Sequence, residues 1–362
     1  MTIKAREPLA EIGYYMVGIS KLPGFEQPIK LSSNESALGM SPDALTAAQQ
    51  AMGQGHLYPE VDTETLAEVL GERYHLDPQR MAFGPGSDEL LGRIVNTFSG
   101  PGDELIHSKN AYMQFPIYAK LAGATPVAAP DLDFHYDVDS ILERANPRTR
   151  IVLIANPDNP SGTCLSGSEV RRLHAGLAPE TLLIVDAAYE EFADIEDYES
   201  GTRLVHEFDN VIVTRTFSKV YGLAGLRLGW CYGPLQAIDT LVKIGPSFPV
   251  NTAAYAAGIA AVRDTAHVDR ALVHNRKWIA GFTRGLTEMG LKVYPSQTNF
   301  MLVEFSQTPG KTASEANDWL NRHGVIPRQF APDDFSNKLR FTVGDDAGMQ
   351  KTMEVLEAFM RQ

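Results

Sequence analysis

The feature that most limits the fold of this chain is an alternation of apolar runs and helical patterns between about residues 80 and 235. Three of the runs, Ile151–Ala155, Leu182–Val185 and Val211–Val213, are continuous and rich in Val and Ile. Such runs are typical of strands that are buried on both faces of a sheet. Stretches with helical spacing, such as SGSEVRRLHAGL, lie between them. This alternation predicts an α/β fold with a mostly parallel central sheet.

The C-terminal part of the chain has a different pattern. A long helical segment at about 265–288 is followed by the strand candidates LKVYP, NFMLVEF and KLRFTVG and by two further helical segments. This pattern indicates an α+β unit, and the first 35 residues are too few to fold alone. We therefore predict a large domain at 36–255 and a smaller α+β domain that combines 1–35 with 256–362.

Composition excludes several classes of protein. The 362 residues include 32 basic and 45 acidic side chains, and the net charge of −13 argues against a surface that binds nucleic acid or anionic membrane. The N-terminus has no apolar signal-peptide core, and no stretch approaches the ~20 apolar residues of a membrane span. We expect a cytoplasmic protein. Two cysteines and the absence of CxxC and HExxH motifs predict neither a disulfide framework nor a metal site.

Polar side chains follow each of the three apolar runs. The first run is followed by Asn159, the second by Asp186 and Tyr189, and the third by Ser218 and Lys219. Ligands of open α/β sheets bind beyond the carboxyl ends of the strands. Each residue type is common by itself, so the joint occurrence of an amide, a carboxylate, a phenol and an amine predicts a ligand site at this edge.

A glycine-rich segment, GPGSDELL at 84–91, precedes these runs and opens a helical pattern. The backbone N–H groups at a helix N-terminus bind phosphate, which makes Gly86 and Ser87 candidates for an anion site. The alternative is an ordinary loop in which Ser87 caps the helix and Asp88 and Glu89 complement the helix dipole.

Taken together, these segments resemble the fold-type I aminotransferases of class II, and within them the histidinol-phosphate aminotransferase family. The matching segments are IKLSSNESALGMSP (29–42), YPE (58–60), GPGSDELL (84–91), ANPDNPSGT (155–163), VDAAYEEF (185–192), TRTFSKVYGLAGLRLGW (214–230) and LRFTVG (339–344). They extend over almost the whole chain. The resemblance implies a pyridoxal 5′-phosphate (PLP) enzyme whose large domain binds the cofactor.

The resemblance implies a catalytic role for three residues, Lys219, Asp186 and Tyr189. Lys219 would bond covalently to the cofactor aldehyde and later act as the general base. Asp186 would pair with the pyridine nitrogen and keep it protonated. Tyr189 and Asn159 would hydrogen-bond the ring oxygen.

The remaining cofactor contacts are also implied by the resemblance. Arg227 would bind the phosphate bidentately, Tyr112 would stack on the ring, and Tyr58 would reach the phosphate of a second subunit in a homodimer. The implied cofactor-binding residues are Tyr58, Gly86, Ser87, Asp88, Tyr112, Asn159, Asp186, Tyr189, Thr216, Ser218, Lys219 and Arg227.

On the substrate side, the resemblance implies that Arg340 and Arg328 bind the phosphate of the amino donor. Tyr15 matches a tyrosine that covers the substrate, and Asn34 and Asn159 complete the implied substrate-binding residues. The expected reaction converts histidinol phosphate and 2-oxoglutarate to imidazole acetol phosphate and glutamate by a ping-pong route in histidine biosynthesis.

The sequence departs from the family pattern near this pocket. The usual Pro-Tyr is Tyr14-Tyr15, and the usual Asn-Glu-Asn-Pro is Asn34-Glu35-Ser36-Ala37. Aromatic amino acids (Phe or Tyr) are therefore the alternative substrates. A PLP-dependent decarboxylase or lyase on the same scaffold is a second alternative. A PLP-sensing effector is a third, which the acidic charge and the lack of an appended DNA-binding domain disfavour.

Overall fold

The structure is a computed structural model, and it describes residues 3, 6–10, 12, 13, 18–59, 66–331 and 333–362. The strands are β1 (Ile29–Lys30), β2 (Met81–Gly84), β3 (Glu104–Ser108), β4 (Thr125–Ala129), β5 (Thr149–Ala155), β6 (Leu182–Asp186), β7 (Val211–Thr216), β8 (Gly229–Tyr232), β9 (Lys292–Val293), β10 (Phe300–Glu304), β11 (Val325–Ile326), β12 (Arg328–Gln329) and β13 (Lys338–Thr342). The helices are α1 (Glu7–Ala10), α2 (Pro42–Met52), α3 (Leu66–Tyr74), α4 (Ser87–Phe98), α5 (Phe115–Ala122), α6 (Val138–Arg144), α7 (Gly167–Gly176), α8 (Gly201–Glu207), α9 (Leu235–Ile244), α10 (Thr252–Arg263), α11 (Thr265–Glu288), α12 (Ala313–Arg322) and α13 (Asp346–Met360).

The main sheet has seven strands in the order β2-β8-β7-β6-β5-β3-β4. Strands β4, β3, β5, β6 and β7 are mutually parallel, and β8 is antiparallel to both of its neighbours. The prediction of an α/β fold with a mostly parallel sheet is therefore confirmed. Ala155 pairs with Asp186, and Asp186 pairs with Thr214, so β5, β6 and β7 end at the same edge. This register brings together the loops that carry the predicted site residues.

A second sheet of four antiparallel strands, in the order β12-β13-β10-β9, belongs to the C-terminal part of the chain. Strand β1 pairs in parallel with β11 and so attaches the N-terminal segment to this part. The larger hydrophobic core extends from Ala44 to Ala271, and the smaller one contains Leu31 and residues between Phe282 and Phe359. The division into 36–255 and 1–35 with 256–362 stays a prediction.

Helix capping explains where several helices begin. The side chains of Ser41, Asp137 and Ser166 accept hydrogen bonds from the first turns of α2, α6 and α7. Helix α4 is different, because its N-cap is Gly86, with a φ of 99°, and Ser87 is its first helical residue. The alternative in which Ser87 caps this helix is therefore wrong, and the first turn of α4 has no side-chain cap.

Among the helices of the described residues, none combines the length and the apolar character that crossing a lipid bilayer requires.

Candidate active site

A cavity of about 420 Å³ lies at the carboxyl edge of β5, β6 and β7. Its walls come from these strand ends, from the start of α4, from β12 and β13, and from the segment around β1. The residues that line it are Gly18, Lys30, Ser32, Ser33, Asn34, Glu35, Ser87, Asp88, Tyr112, Ala155, Asn159, Asp186, Ala188, Tyr189, Thr216, Ser218, Lys219, Ala224, Arg227, Arg328 and Arg340. Thirteen of the sixteen predicted site residues are in this set.

Two of the three remaining predicted residues lie elsewhere in the described structure. Gly86 precedes α4 directly behind the wall, and Tyr58 lies on the surface, stacked on Phe248 with ring centroids 4.2 Å apart. Tyr15 lies outside the described residues. The roles of all sixteen residues stay predictions at this point, and the structure gives the positions of the fifteen that it describes.

Asp186 ends β6 and is buried at the base of the cavity. Burial raises the pKa of its carboxyl from 3.8 to about 7, and the negative charge of Asp88 acts in the same direction. Thr214 Oγ1 donates to Asp186 Oδ1 at 3.0 Å, which opposes this increase. A buried carboxyl of this kind is well suited to a ligand that offers a cationic N–H, because pairing would restore its charged form.

An anion cradle lies at the start of α4. Arg227, with a φ of 57°, is held by hydrogen bonds from its guanidinium to the carbonyl oxygens of Ala224 (2.9 Å) and Pro85 (3.2 Å). A Cβ at Gly86 would collide with this guanidinium, and a Cβ at Gly229 would collide with the backbone N of Ser87. Glycine at both positions therefore keeps the helix N-terminus and the arginine close together, which is the geometry that binds a phosphate group.

Two further segments complete this end of the cavity. Thr216 Oγ1 donates to Ser218 Oγ at 3.0 Å, and both residues line the cavity beside Lys219. The Lys219 Nζ lies 5.4 Å from the centroid of the Tyr189 ring. Strand β7 and the loop after it thus bring hydroxyl groups and an amine to one place.

Asp88 fixes the aromatic wall of the cavity. Its carboxylate accepts hydrogen bonds from Tyr118 Oη at 3.0 Å and from Tyr112 Oη at 3.3 Å. The Tyr112 ring also packs edge-on against Phe115, with centroids 5.8 Å apart. These contacts orient Tyr112, which leaves its ring as one wall of the cavity.

The opposite end of the cavity is rich in arginine. Arg328 on β12 and Arg340 on β13 are cross-strand partners, and both are buried. Like charges directly opposite each other on a sheet are destabilising, so this pair is suited to an anionic ligand. Arg340 Nη1 also donates to Asn159 Oδ1 at 2.5 Å, and its Nη2 donates to the Ser32 carbonyl at 3.0 Å. Arg340 thereby joins the arginine end to the loop after β5.

The charges of the cavity oppose the charge of the whole chain. Five basic residues line it, and only three acidic residues do, although the chain as a whole has a net charge of −13. The basic residues are Lys30, Lys219, Arg227, Arg328 and Arg340, and the acidic residues are Glu35, Asp88 and Asp186. A local excess of positive charge in a concave site attracts anionic ligands.

Sequence reasoning did not identify several residues of the site. Lys30 and Glu35 form an ion pair of 2.7 Å at the cavity wall, and no pattern in the sequence distinguishes them from solvated charges. Arg215 is buried behind the site, where it pairs with Glu190 at 2.8 Å and Glu191 at 2.6 Å. Arginine inside a buried strand was a usable signal, because a charge in such a position requires partners.

Comparison with known proteins agrees with this geometry. A family model described as aminotransferase class I and II matches residues 26–356. The chain is 44% identical over 361 residues to a histidinol-phosphate aminotransferase of Maricaulis maris, with 100% of both chains covered. It is 42% identical to the histidinol-phosphate aminotransferase of Paramagnetospirillum magneticum, with 99% of both covered. The crystal structure of histidinol-phosphate aminotransferase from Sinorhizobium meliloti in complex with PLP superposes with a TM-score of 0.86 at 29% identity, covering 92% of this chain and 91% of the other.

Proposed function

The chain belongs to the class I and II aminotransferases, and we propose that it is a PLP-dependent enzyme that transfers the amino group of histidinol phosphate to 2-oxoglutarate in histidine biosynthesis. The observation that carries this proposal is one cavity in which a buried carboxyl, an amide, a phenol and a lysine face an anion cradle at one end and a pair of arginines at the other. Histidinol phosphate and PLP are both phosphate esters, which matches a site with two cationic ends. The full-length relatives named histidinol-phosphate aminotransferase support the choice of substrate.

The residues of the cavity fit the cofactor chemically. The cradle of Ser87 and Arg227 would take its phosphate, Asp186 would pair with the ring nitrogen, and Tyr112 would cover the ring. When bound, PLP supplies an electron-withdrawing ring that stabilises negative charge at the substrate Cα.

The protein's own groups then hold and move the proton. Lys219 would hold the cofactor through its aldehyde, and once the donor amine has displaced Lys219, its free Nζ would accept the proton from the substrate Cα. Tyr189 and Asn159 orient the reacting groups by hydrogen bonds, and Asp186 keeps the ring nitrogen protonated. Arg340 connects this chemistry to the substrate end through its hydrogen bond to Asn159.

Arg328 and Arg340 would bind the phosphate of histidinol phosphate, which has no α-carboxylate. A phosphate dianion accepts more hydrogen bonds than a carboxylate, and two guanidinium groups offer a matching set of donors. In the second half of the reaction, a carboxylate of 2-oxoglutarate would occupy the same arginines.

An absorption experiment tests this function. The purified holoenzyme is mixed with histidinol phosphate, and the visible absorption band of the bound cofactor is followed. We expect the band to disappear with histidinol phosphate and to return with 2-oxoglutarate. If only Phe or Tyr produces this change, the histidine-pathway substrate is wrong. If no amine produces it while CO₂ or another cleavage product is released, amino transfer itself is wrong.

We also propose that two copies of the chain associate and that the enzyme works in the cytoplasm, where its substrates are soluble metabolites. The support for association is an apolar surface around Tyr58, which is 75% exposed, together with Leu57, Met52, Ile244 and Phe248, all of which are exposed. Tyr58 does not line the cavity of its own chain, which leaves it available to a second one.

Mixed dimers test this association. Lys219→Ala and Tyr58→Ala chains are produced separately, each of low activity, and then combined. If Tyr58 serves the partner subunit, the mixture regains activity, because one of the two sites in a mixed dimer then has both wild-type residues. A monomer by light scattering, or no regain of activity in a mixture with proven subunit exchange, would contradict the proposal.

A further inference from the structure

Asn34 lies in the cavity wall beside Tyr189, and its side chain is fixed by hydrogen bonds from distant parts of the chain. Its Nδ2 donates to Tyr189 Oη at 2.8 Å. Thr342 Oγ1 donates to Asn34 Oδ1 at 3.0 Å, and the backbone N–H of Asn34 donates to the same Oγ1 at 3.0 Å. Asn34, Thr342 and Tyr189 are each no more than 3% exposed. Water therefore does not replace these bonds.

The backbone of Asn34 is held as firmly as its side chain. Its φ of 55° lies in the left-handed region, which asparagine tolerates better than most residues. Asn299 Nδ2 donates to the carbonyl oxygens of Asn34 and Glu35 at 3.1 and 3.2 Å. Both contacts keep the Asn34 amide between Thr342 and Tyr189.

The orientation of this amide decides whether the Tyr189 hydroxyl meets a hydrogen-bond donor or an acceptor. An amide nitrogen only donates and an amide oxygen only accepts. Thr342 has one hydroxyl hydrogen, which goes to Asn34 Oδ1, while its oxygen accepts from the Asn34 backbone. Thr342 thereby keeps Oδ1 on its own side and Nδ2 on the Tyr189 side.

We propose that Asn34 and Thr342 are positioning residues that direct the phenolic hydrogen of Tyr189 into the cavity. Because the Tyr189 oxygen accepts from Asn34, its own hydrogen is left to be donated toward the ligand. This proposal rests on the function proposed above, in which the ligand beside Tyr189 and Lys219 is PLP. Asn34, placed by the resemblance among the substrate-binding residues, then acts through Tyr189.

The consequence concerns the bound cofactor. A hydrogen bond donated by Tyr189 to the ring oxygen of PLP would withdraw electron density from that oxygen. This would lower the proton affinity of the nitrogen through which Lys219 would hold the cofactor. The pH midpoint of the absorption change of the holoenzyme reports this affinity. Loss of the Tyr189 hydrogen bond therefore raises the midpoint.

The first test is a double-mutant cycle on the holoenzyme. Asn34→Asp presents only acceptor oxygens, so it captures the Tyr189 hydrogen, and aspartate tolerates the same φ. We expect the absorption midpoint to rise by about one pH unit or more in Asn34→Asp. In a Tyr189→Phe background, the same substitution should produce a clearly smaller rise, because only its charge then acts.

Equal shifts in the two backgrounds would overturn the proposal. The charged side chains that line the cavity around Tyr189 include Glu35, Asp186, Lys219 and Arg340, and all four are retained in every variant. Failure of the proposed function is distinguishable, because wild-type protein would then show no cofactor band or no response to any amine.

A charge-neutral pair provides the second test and serves also if Asn34→Asp does not fold. Thr342→Val keeps the shape of threonine and removes the hydroxyl, whereas Thr342→Ser keeps the hydroxyl. We expect the midpoint to rise in Thr342→Val, by less than in Asn34→Asp, and to stay within a few tenths of a unit of wild type in Thr342→Ser. Equal midpoints for valine and serine would contradict the positioning role.

Discussion

The cofactor end of the cavity is built from residues that end or follow strands of one sheet, whereas the substrate end is built from two strands of a second sheet and from residues 30–35. At the cofactor end, Asp186 is the last residue of the buried parallel strand β6, and Lys219 follows the buried parallel strand β7. At the substrate end, Arg328 and Arg340 face each other across an antiparallel pair. The difference indicates that the residues proposed to act on the cofactor are attached to the large core. The residues proposed to bind the substrate come from elements that are far apart in the chain.

The comparison predicts the largest effect at the cofactor end, in Lys219→Ala. Lys219 and Lys30 are the two lysines among the described residues that line the cavity, and the Lys219 Nζ lies 5.4 Å from the Tyr189 ring centroid. We expect activity to fall by about four orders of magnitude or more, because both the covalent link and the base are lost. Borohydride reduction followed by mass spectrometry measures the link. A reducible link retained in Lys219→Ala would assign the role to another lysine.

At the substrate end, Arg340→Gln should have a smaller effect that is still large. Removing one charge from a buried ionic contact costs about 2–5 kcal/mol, so kcat/KM for histidinol phosphate should fall by about 30-fold to about 4,000-fold. Arg328→Gln is the matched control. It should weaken the same substrate but leave the cofactor spectrum unchanged, whereas Arg340→Gln should alter the spectrum through Asn159. Identical cofactor spectra in the two variants would contradict the proposed link between Arg340 and the cofactor end of the cavity.

The raised pKa of Asp186 predicts how the cofactor end affects stability. Without cofactor, the folded protein keeps this proton up to about pH 7, whereas the unfolded carboxyl loses it near 3.8. The stability contributed by Asp186 is therefore complete below about pH 4 and is lost as the pH rises to about 7. Asp186→Asn does not titrate, so its melting temperature without cofactor should exceed that of wild type by more at about pH 8 than at about pH 5.

The cofactor-loaded protein provides the control for this stability measurement. With PLP bound, wild type should melt above Asp186→Asn, since an amide lacks the negative charge that pairs with a protonated ring nitrogen. If the difference in melting temperature between the two proteins stays the same at every pH, with and without cofactor, the proposed role of Asp186 is wrong.

The smallest effect is expected at the rim of the substrate end. Glu35 pairs with Lys30 at 2.7 Å, but the two side chains are 48% and 29% exposed. Exposed ion pairs contribute at most about 1 kcal/mol, so Glu35→Gln should change KM for histidinol phosphate by less than about fivefold. The effect should shrink further at high salt, because ions screen such pairs. A change as large as that of Arg340→Gln would make Glu35 a direct substrate ligand.

The two regions differ also in how well the sequence predicted them. Asp186 and Lys219 were identified because continuous apolar runs mark buried parallel strands, and the residues after such strands share one edge. Arg340 and Arg328 were identified through the family resemblance alone. Lys30 was missed because a lysine beside a two-residue strand has no periodic pattern around it.

The sequence by itself determined the α/β fold, the edge of the sheet at which the site lies, and the identity of the candidate lysine and carboxylate. These follow from local hydrophobic patterning, which a single chain displays directly. Only the tertiary structure decided which way the Asn34 amide faces, that Arg340 joins Asn159, and that Arg215 is buried with two glutamates. The physical reason is that these contacts join residues 24 to 181 positions apart, and such contacts depend on register and packing, which no local pattern encodes.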